Sequence, residues 1–225
     1  MYQLFTSDSP IIRFLRQLSD LFVLNLCFLL GSLPLFSVGA SLSALYSVIF
    51  AQHLGREPAV WPAFWQAWKR DLRASLPLWL PMLAVGLLLS ADNLLLQGAS
   101  GALVFALRAL LGTAIVLYLF VFCYLFPLLS EFENSVRDSY FKALYFSVRH
   151  FPTTILLCIL ASLPWLLATY SQRGLFLAIL LMLTLGFSLQ AALGAPLLLR
   201  VFRPFLPAPE PDADLSEEGS GEAPR

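Results

Sequence analysis

The sequence predicts an all-α polytopic membrane protein of about six membrane helices, arranged as three helical hairpins with interfacial amphipathic helices beside them. Three observations carry this reading. Of the 225 residues only 12% are charged and 59% are hydrophobic. An average soluble domain carries about 25% charged residues, so the polar surface is too small to cover a globule in water. Several apolar runs exceed the ~18 residues that mark a membrane span, and the basic residues fall between those runs in a pattern that the positive-inside bias orders. Charge also divides the chain in two. Residues 1–205 hold 13 Lys+Arg against 8 Asp+Glu, whereas 206–225 hold six acids and Arg225. We therefore expect a helical membrane domain over 1–205 and an acidic C-terminal tail over 206–225. The tail's Pro/Glu/Asp/Ser/Gly composition builds no core, so disorder is expected there.

The elements follow in order. Residues 7–20, "SDSPIIRFLRQLSD", open with Ser7 or Asp8 as a cap and Pro10 near the first helical position. Ile11, Ile12, Leu15 and Leu18 lie on one side and Arg13, Arg16 and Gln17 largely on the other. This amphipathic entry runs into the apolar segment 21–33, which Pro34 and Gly39 break. Asp8, Asp20 and Asn25 interrupt any signal-peptide pattern, so the first span is expected to stay as a signal anchor. A second helical pattern covers 40–53, with Ala40 and Ala44 as a small packing face. In 56–73, Trp61, Phe64, Trp65, Trp68 and Leu72 fall on one helical face, with Gln66, Lys69, Arg70 and Arg73 elsewhere. Tryptophan beside Lys and Arg marks a helix lying in the membrane interface. Trp61, Trp65, Trp68, Lys69, Arg70 and Arg73 are its expected anchors in the lipid bilayer.

Spans over about 74–95 and 102–128 come next, joined by a loop without Lys or Arg. Residues 131–150 are polar again, and spans over about 151–170 and 174–199 follow with only "SQR" between them. Residues 65–73 "WQAWKRDLR" and 141–149 "FKALYFSVR" share aromatic-x-Ala-apolar-x-x-x-x-Arg, a faint internal repeat in which each copy precedes a hairpin. Cys27, Cys123 and Cys158, an odd count inside apolar runs, read as small packing residues rather than a disulfide framework or zinc site.

Topology follows from the arginines. Arg13 and Arg16 precede the first apolar stretch, and Arg56, Lys69, Arg70 and Arg73 follow residue 53. Placing both groups in the cytoplasm makes 21–53 a hairpin and puts both termini inside, in a cytoplasmic membrane crossed several times. A five-span chain puts one of the two groups on the wrong side. Length opposes a full crossing, because 39–53 rises only about 22 Å against a hydrocarbon core of about 30 Å. The second helix is therefore expected to stop short, with Pro34 to Gly39 buried within protein.

The stretch "LFTSDSPIIRFLRQLSDLFVLNLCFLLGSLPLFSVGASLSALY" (4–46) resembles the start of the YesL-like family of bacterial integral membrane proteins. Asp8-Ser9-Pro10, Asp20-Leu21, Leu24-Asn25-Leu26, Ser32-Leu33-Pro34, Gly39-Ala40-Ser41 and Ala44-Leu45-Tyr46 carry the likeness, and 64–73 resembles the family's interfacial stretch. Ser37 and Phe28 depart from it, standing where a Thr and a Trp are common. The resemblance implies a domain of unknown function encoded near sugar-uptake systems and glycan-degrading enzymes, and it supplies no catalytic residues.

Arg108, about seven residues inside its span, is either functional or an anchor that snorkels to the outer interface, with Asp92 its nearest opposite charge. Asn25 and Gln190, the latter flanked by Gly186 and Gly194, read as helix-packing glue or as the lining of a polar cavity. His53, His150, Glu131 and Glu133 fall at cytoplasmic span ends but lack HxxxH, ExxH or HExxH spacing, so no metal is expected. No Walker loop, GxGxxG or GxSxG is present. Neither an enzyme nor a cofactor is expected. The basic 69–73 cluster suits a membrane surface better than nucleic acid. Two functions remain open: a non-catalytic accessory or scaffold docked to a sugar importer, and a small-solute transporter or channel.

Overall fold

A computed structural model describes residues 10–56, 58–96, 98, 100–132 and 135–205. The expected caps Ser7 and Asp8 and the acidic tail lie outside the described residues. Among the described residues there are eight α-helices: α1 (Pro10–Gly31), α2 (Val38–His53), α3 (Val60–Leu95), α4 (Ala102–Glu131), α5 (Val136–Arg149), α6 (Phe151–Tyr170), α7 (Gln172–Leu181) and α8 (Phe187–Phe202). A π-helical turn, Met182–Gly186, joins α7 to α8 without a break. Among the described residues six helical stretches are long and apolar enough to cross a membrane, α7 and α8 counting as one. The protein is an all-α polytopic helical membrane protein.

The aromatic-basic segment is not a separate interfacial helix. It continues into the following span as one helix of 36 residues, through Pro77 and Pro81. The cause is a single buried stripe, Val60, Phe64, Ala67, Asp71, Ser75, Leu78 and Met82. These residues recur every three or four positions and keep one face of α3 against its neighbours. The corresponding break does occur after α5. Pro152 has no N–H, and its ring clashes with the carbonyl four residues back, so the chain leaves the helix at His150 (φ −110°, ψ 46°). The two repeat segments thus take different structures: 65–73 lies inside α3, while 141–149 ends α5.

Helix α2 is the centre of the bundle. It packs against α1, α3, α4 and α8, and 56% of its stretch is buried against 12–28% for the other five. Small residues make this approach possible. A Cβ on Gly39 would stand 2.8 Å from Trp79 Cβ and 2.9 Å from Phe126 Cε1, so only glycine fits there. At one end of the bundle Phe202 is fully buried. Its ring packs on Phe50, Tyr124, Phe132 and Phe146 at centroid distances of 5.7 to 6.5 Å.

The turn between α1 and α2 lies partway along α3. The Trp79 indole Nε1 donates to the Leu35 carbonyl at 2.7 Å, and Trp79 precedes the end of α3 at Leu95 by 16 residues, or about 24 Å of helix. The first hairpin therefore ends well before the α3–α4 hairpin does. The expectation that Pro34 to Gly39 is buried within protein holds only in part. Ser37 and Gly39 are buried, but Leu33, Leu35 and Phe36 are 77%, 62% and 51% exposed. Backbone satisfaction makes this possible. The Ser37 hydroxyl lies 2.6 Å from the Gly31 carbonyl and 2.7 Å from that of Pro34, and Trp79 takes Leu35. With those carbonyls met inside the fold, the apolar side chains of the turn are free to face hydrocarbon.

Candidate functional site

Several of the buried polar side chains form cross-links between helices, and the densest lies where α1 meets the π turn. Asn25 is fully buried. Its Nδ2 donates to the carbonyls of Met182 (3.1 Å) and Leu183 (2.9 Å). Its Oδ1 accepts the backbone N–H groups of Phe187 (3.1 Å) and Ser188 (3.3 Å). A π turn widens the helix by one residue and takes backbone groups out of α register. One amide, with two donors and an acceptor oxygen, meets four of them. The Ser188 hydroxyl closes the same contact on the Leu21 carbonyl at 2.7 Å, and the Phe28 and Phe187 rings pack beside it, tilted by 39° with centroids 4.7 Å apart.

The second cross-link joins α2, α3 and α4. Asp71 is 5% exposed. Ser43 Oγ donates to its Oδ2 at 2.7 Å. Arg70 donates from Nε to Oδ1 at 2.6 Å and from Nη2 to Oδ2 at 3.2 Å. Arg70 Nη2 also reaches the Ser130 carbonyl on α4 at 3.4 Å. An ionised carboxylate costs several kcal/mol to bury alone, and these charge-assisted bonds offset that cost. Arg70 thus does more than face the interface. Lys69 and Arg73 are exposed. Trp61, Trp65 and Trp68 form an edge-to-face ladder with centroids 6.0 and 5.5 Å apart. Trp61 is half exposed, whereas Trp68 turns inward and donates from Nε1 to Ser41 Oγ at 3.2 Å.

Gln190 donates to the Leu160 carbonyl at 3.3 Å, tying α8 to α6. Asn25 thus ties α1 to the last span, and Gln190 ties that span to α6. Arg108 is exposed, and its Nη2 donates to the Leu96 carbonyl at 2.7 Å. Its charge therefore sits at the C-terminal end of α3, where the helix dipole is negative. His53 faces the Ile49 carbonyl at 3.0 Å. Among the described residues no three His, Cys, Asp or Glu side chains converge.

Other cross-links had escaped sequence reasoning. Thr154 on α6 joins Tyr124 Oη on α4 (3.1 Å) and the Ser147 carbonyl on α5 (2.7 Å). Tyr140 on α5 donates to the Leu78 carbonyl on α3 at 2.6 Å. Burial pushes that phenol's pKa up, which keeps the proton the bond needs. Cys27, Cys123 and Cys158 are free cysteines. The signal for Asp71 was present, since positions 60, 64, 67 and 71 lie on one helical face, but three basic neighbours mask it in "WKRDLR".

A family described as "Protein of unknown function, DUF624" matches residues 21–93. That interval takes in the second half of α1, all of α2 and all but the end of α3. No curated protein and no solved structure matches. Over that third of its length the chain is similar to a family whose function is unknown.

Proposed function

We propose that the protein is a non-catalytic accessory or scaffold protein of the cytoplasmic membrane, docking to a carbohydrate importer or its regulators. One observation supports this most. Asn25, Ser43, Asp71 and Thr154, four of the buried polar side chains, hold helices together. A solute path needs convergent polar groups left for the solute. The YesL-like resemblance makes a sugar importer the first partner to test. The competing reading, a small-solute transporter or channel, draws on the π turn and the broken α1–α2 connection, because transporters place binding sites at such breaks. Here the Asn25 amide fills the break at the π turn.

In the proposed placement both termini face the cytoplasm, Arg73 lies at the inner surface and Asp92 at the outer. Residues 74–91 then cross about 27 Å. Trp79, and the first hairpin's turn with it, lies about 24 Å of helix before the end of α3. That hairpin enters from the inside and stops short of the outer face. Liposomes reconstituted with the protein should pass sugars and small ions no faster than protein-free ones. The importer's membrane subunits should co-purify with it from gently solubilised membranes in fixed ratio. Solute flux that Asn25→Leu abolishes would reject the scaffold reading in favour of the transporter.

A further inference from the structure

We propose that the outward face of α5 binds anionic phospholipid, holding acyl chain in an apolar groove and phosphate on flanking arginines. Helix α5 buries Ser139, Ala143, Phe146 and Ser147 against the bundle. Its opposite face leaves Phe141, Tyr145 and Val148 more than half exposed. Phe141, Leu144, Tyr145, Val148 and Arg149 line an open groove of about 430 Å³. Arg137 lies over the Phe141 ring, 5.6 Å from its centroid. Guanidinium groups therefore stand toward both ends of the apolar strip. The acid on this helix, Asp138, accepts the Ser135 hydroxyl at 2.7 Å in the N-terminal cap, so the face is cationic.

Position selects lipid as the occupant. Helix α5 runs between the end of α4 and the start of α6, both long apolar helices. Exposed Phe151, Ile155 and Ile159 continue the apolar surface from the end of α5 along α6. A helix at such a junction lies at headgroup depth. There exposed aromatic and aliphatic side chains enter the acyl boundary, and Arg meets the negative surface of an anionic leaflet. This inference does not depend on whether the protein is a scaffold or a transporter.

The test uses the full-length protein in nanodiscs of phosphatidylcholine with or without phosphatidylglycerol, with retained lipid counted by native mass spectrometry. Phosphatidylglycerol should be retained in preference, and Arg137→Gln and Arg149→Gln should each weaken that retention about fivefold. The loss should shrink in high salt. Tyr145→Ser, also at an exposed position, should weaken retention of both lipids. Unchanged thermal midpoints would confirm that the variants fold. Equal retention of the two lipids by wild type, or wild-type retention by the double arginine variant, would overturn the proposal. So would a photo-crosslinker at Tyr145 that captures protein in place of lipid.

Discussion

Phe202→Ala is expected to lower the unfolding midpoint of the detergent-solubilised protein by roughly 6–12 °C. Phe202 is fully buried, and the four rings around it come from α2 (Phe50), α4 (Tyr124), the residue after α4 (Phe132) and α5 (Phe146). Truncating such a ring removes dispersion contacts and leaves a cavity, a cost of about 3–5 kcal/mol in protein cores. The low end applies here, because four large neighbours can partly fill the space. In a chain of this size 1 kcal/mol shifts the midpoint by about 2–4 °C. Phe202→Leu keeps much of the volume and should lose less than half as much. A change below about 2 °C in the Ala variant would show that this ring cluster does not join the helices.

Asn25→Leu is expected to cost about 2–3 kcal/mol, or roughly 5–10 °C. Leucine keeps the heavy-atom count and branching of asparagine while removing its donors and acceptor, so the loss is chiefly one of hydrogen bonding. Polar contacts between membrane helices average about 0.6 kcal/mol each, and Asn25 makes four to the π turn. Gln190→Leu loses one bond of 3.3 Å and should shift the midpoint by only about 1–3 °C. A solute-lining residue behaves differently. Its removal changes flux and leaves the midpoint nearly where it was, so an unshifted Asn25→Leu would count against the cross-link account.

That the chain holds about six long apolar helices was legible, because apolar runs separated by charges mark segments of bilayer length. That Asn25 needs a partner was legible too, since an amide inside an apolar run must be satisfied. Its partner was not, because "MLTLG" has no composition that marks a π turn and the contact bridges more than 150 residues. The unbroken α3 was missed because Pro77 and Pro81 and the change from basic to apolar composition suggest a boundary. Only the buried stripe from Val60 to Met82, a tertiary fact, carries the helix across it. Phe202 read as one more apolar residue between Arg200 and Arg203, and its four ring partners are visible only once the fold is formed.

The depth of the first hairpin is the most exposed part of this account, because it separates α2 as a buried central post from α2 as an ordinary span. Single cysteines at Leu33 and Gly98 test it, with a membrane-impermeant maleimide applied from outside and the wild-type cysteines setting the background. Gly98→Cys, in the α3–α4 loop, should label. Leu33→Cys should not label, although that side chain is 77% exposed on the protein surface, because its surroundings are hydrocarbon about 24 Å of helix short of the end of α3. Equal labelling at the two positions would contradict the account and make the first hairpin a full crossing.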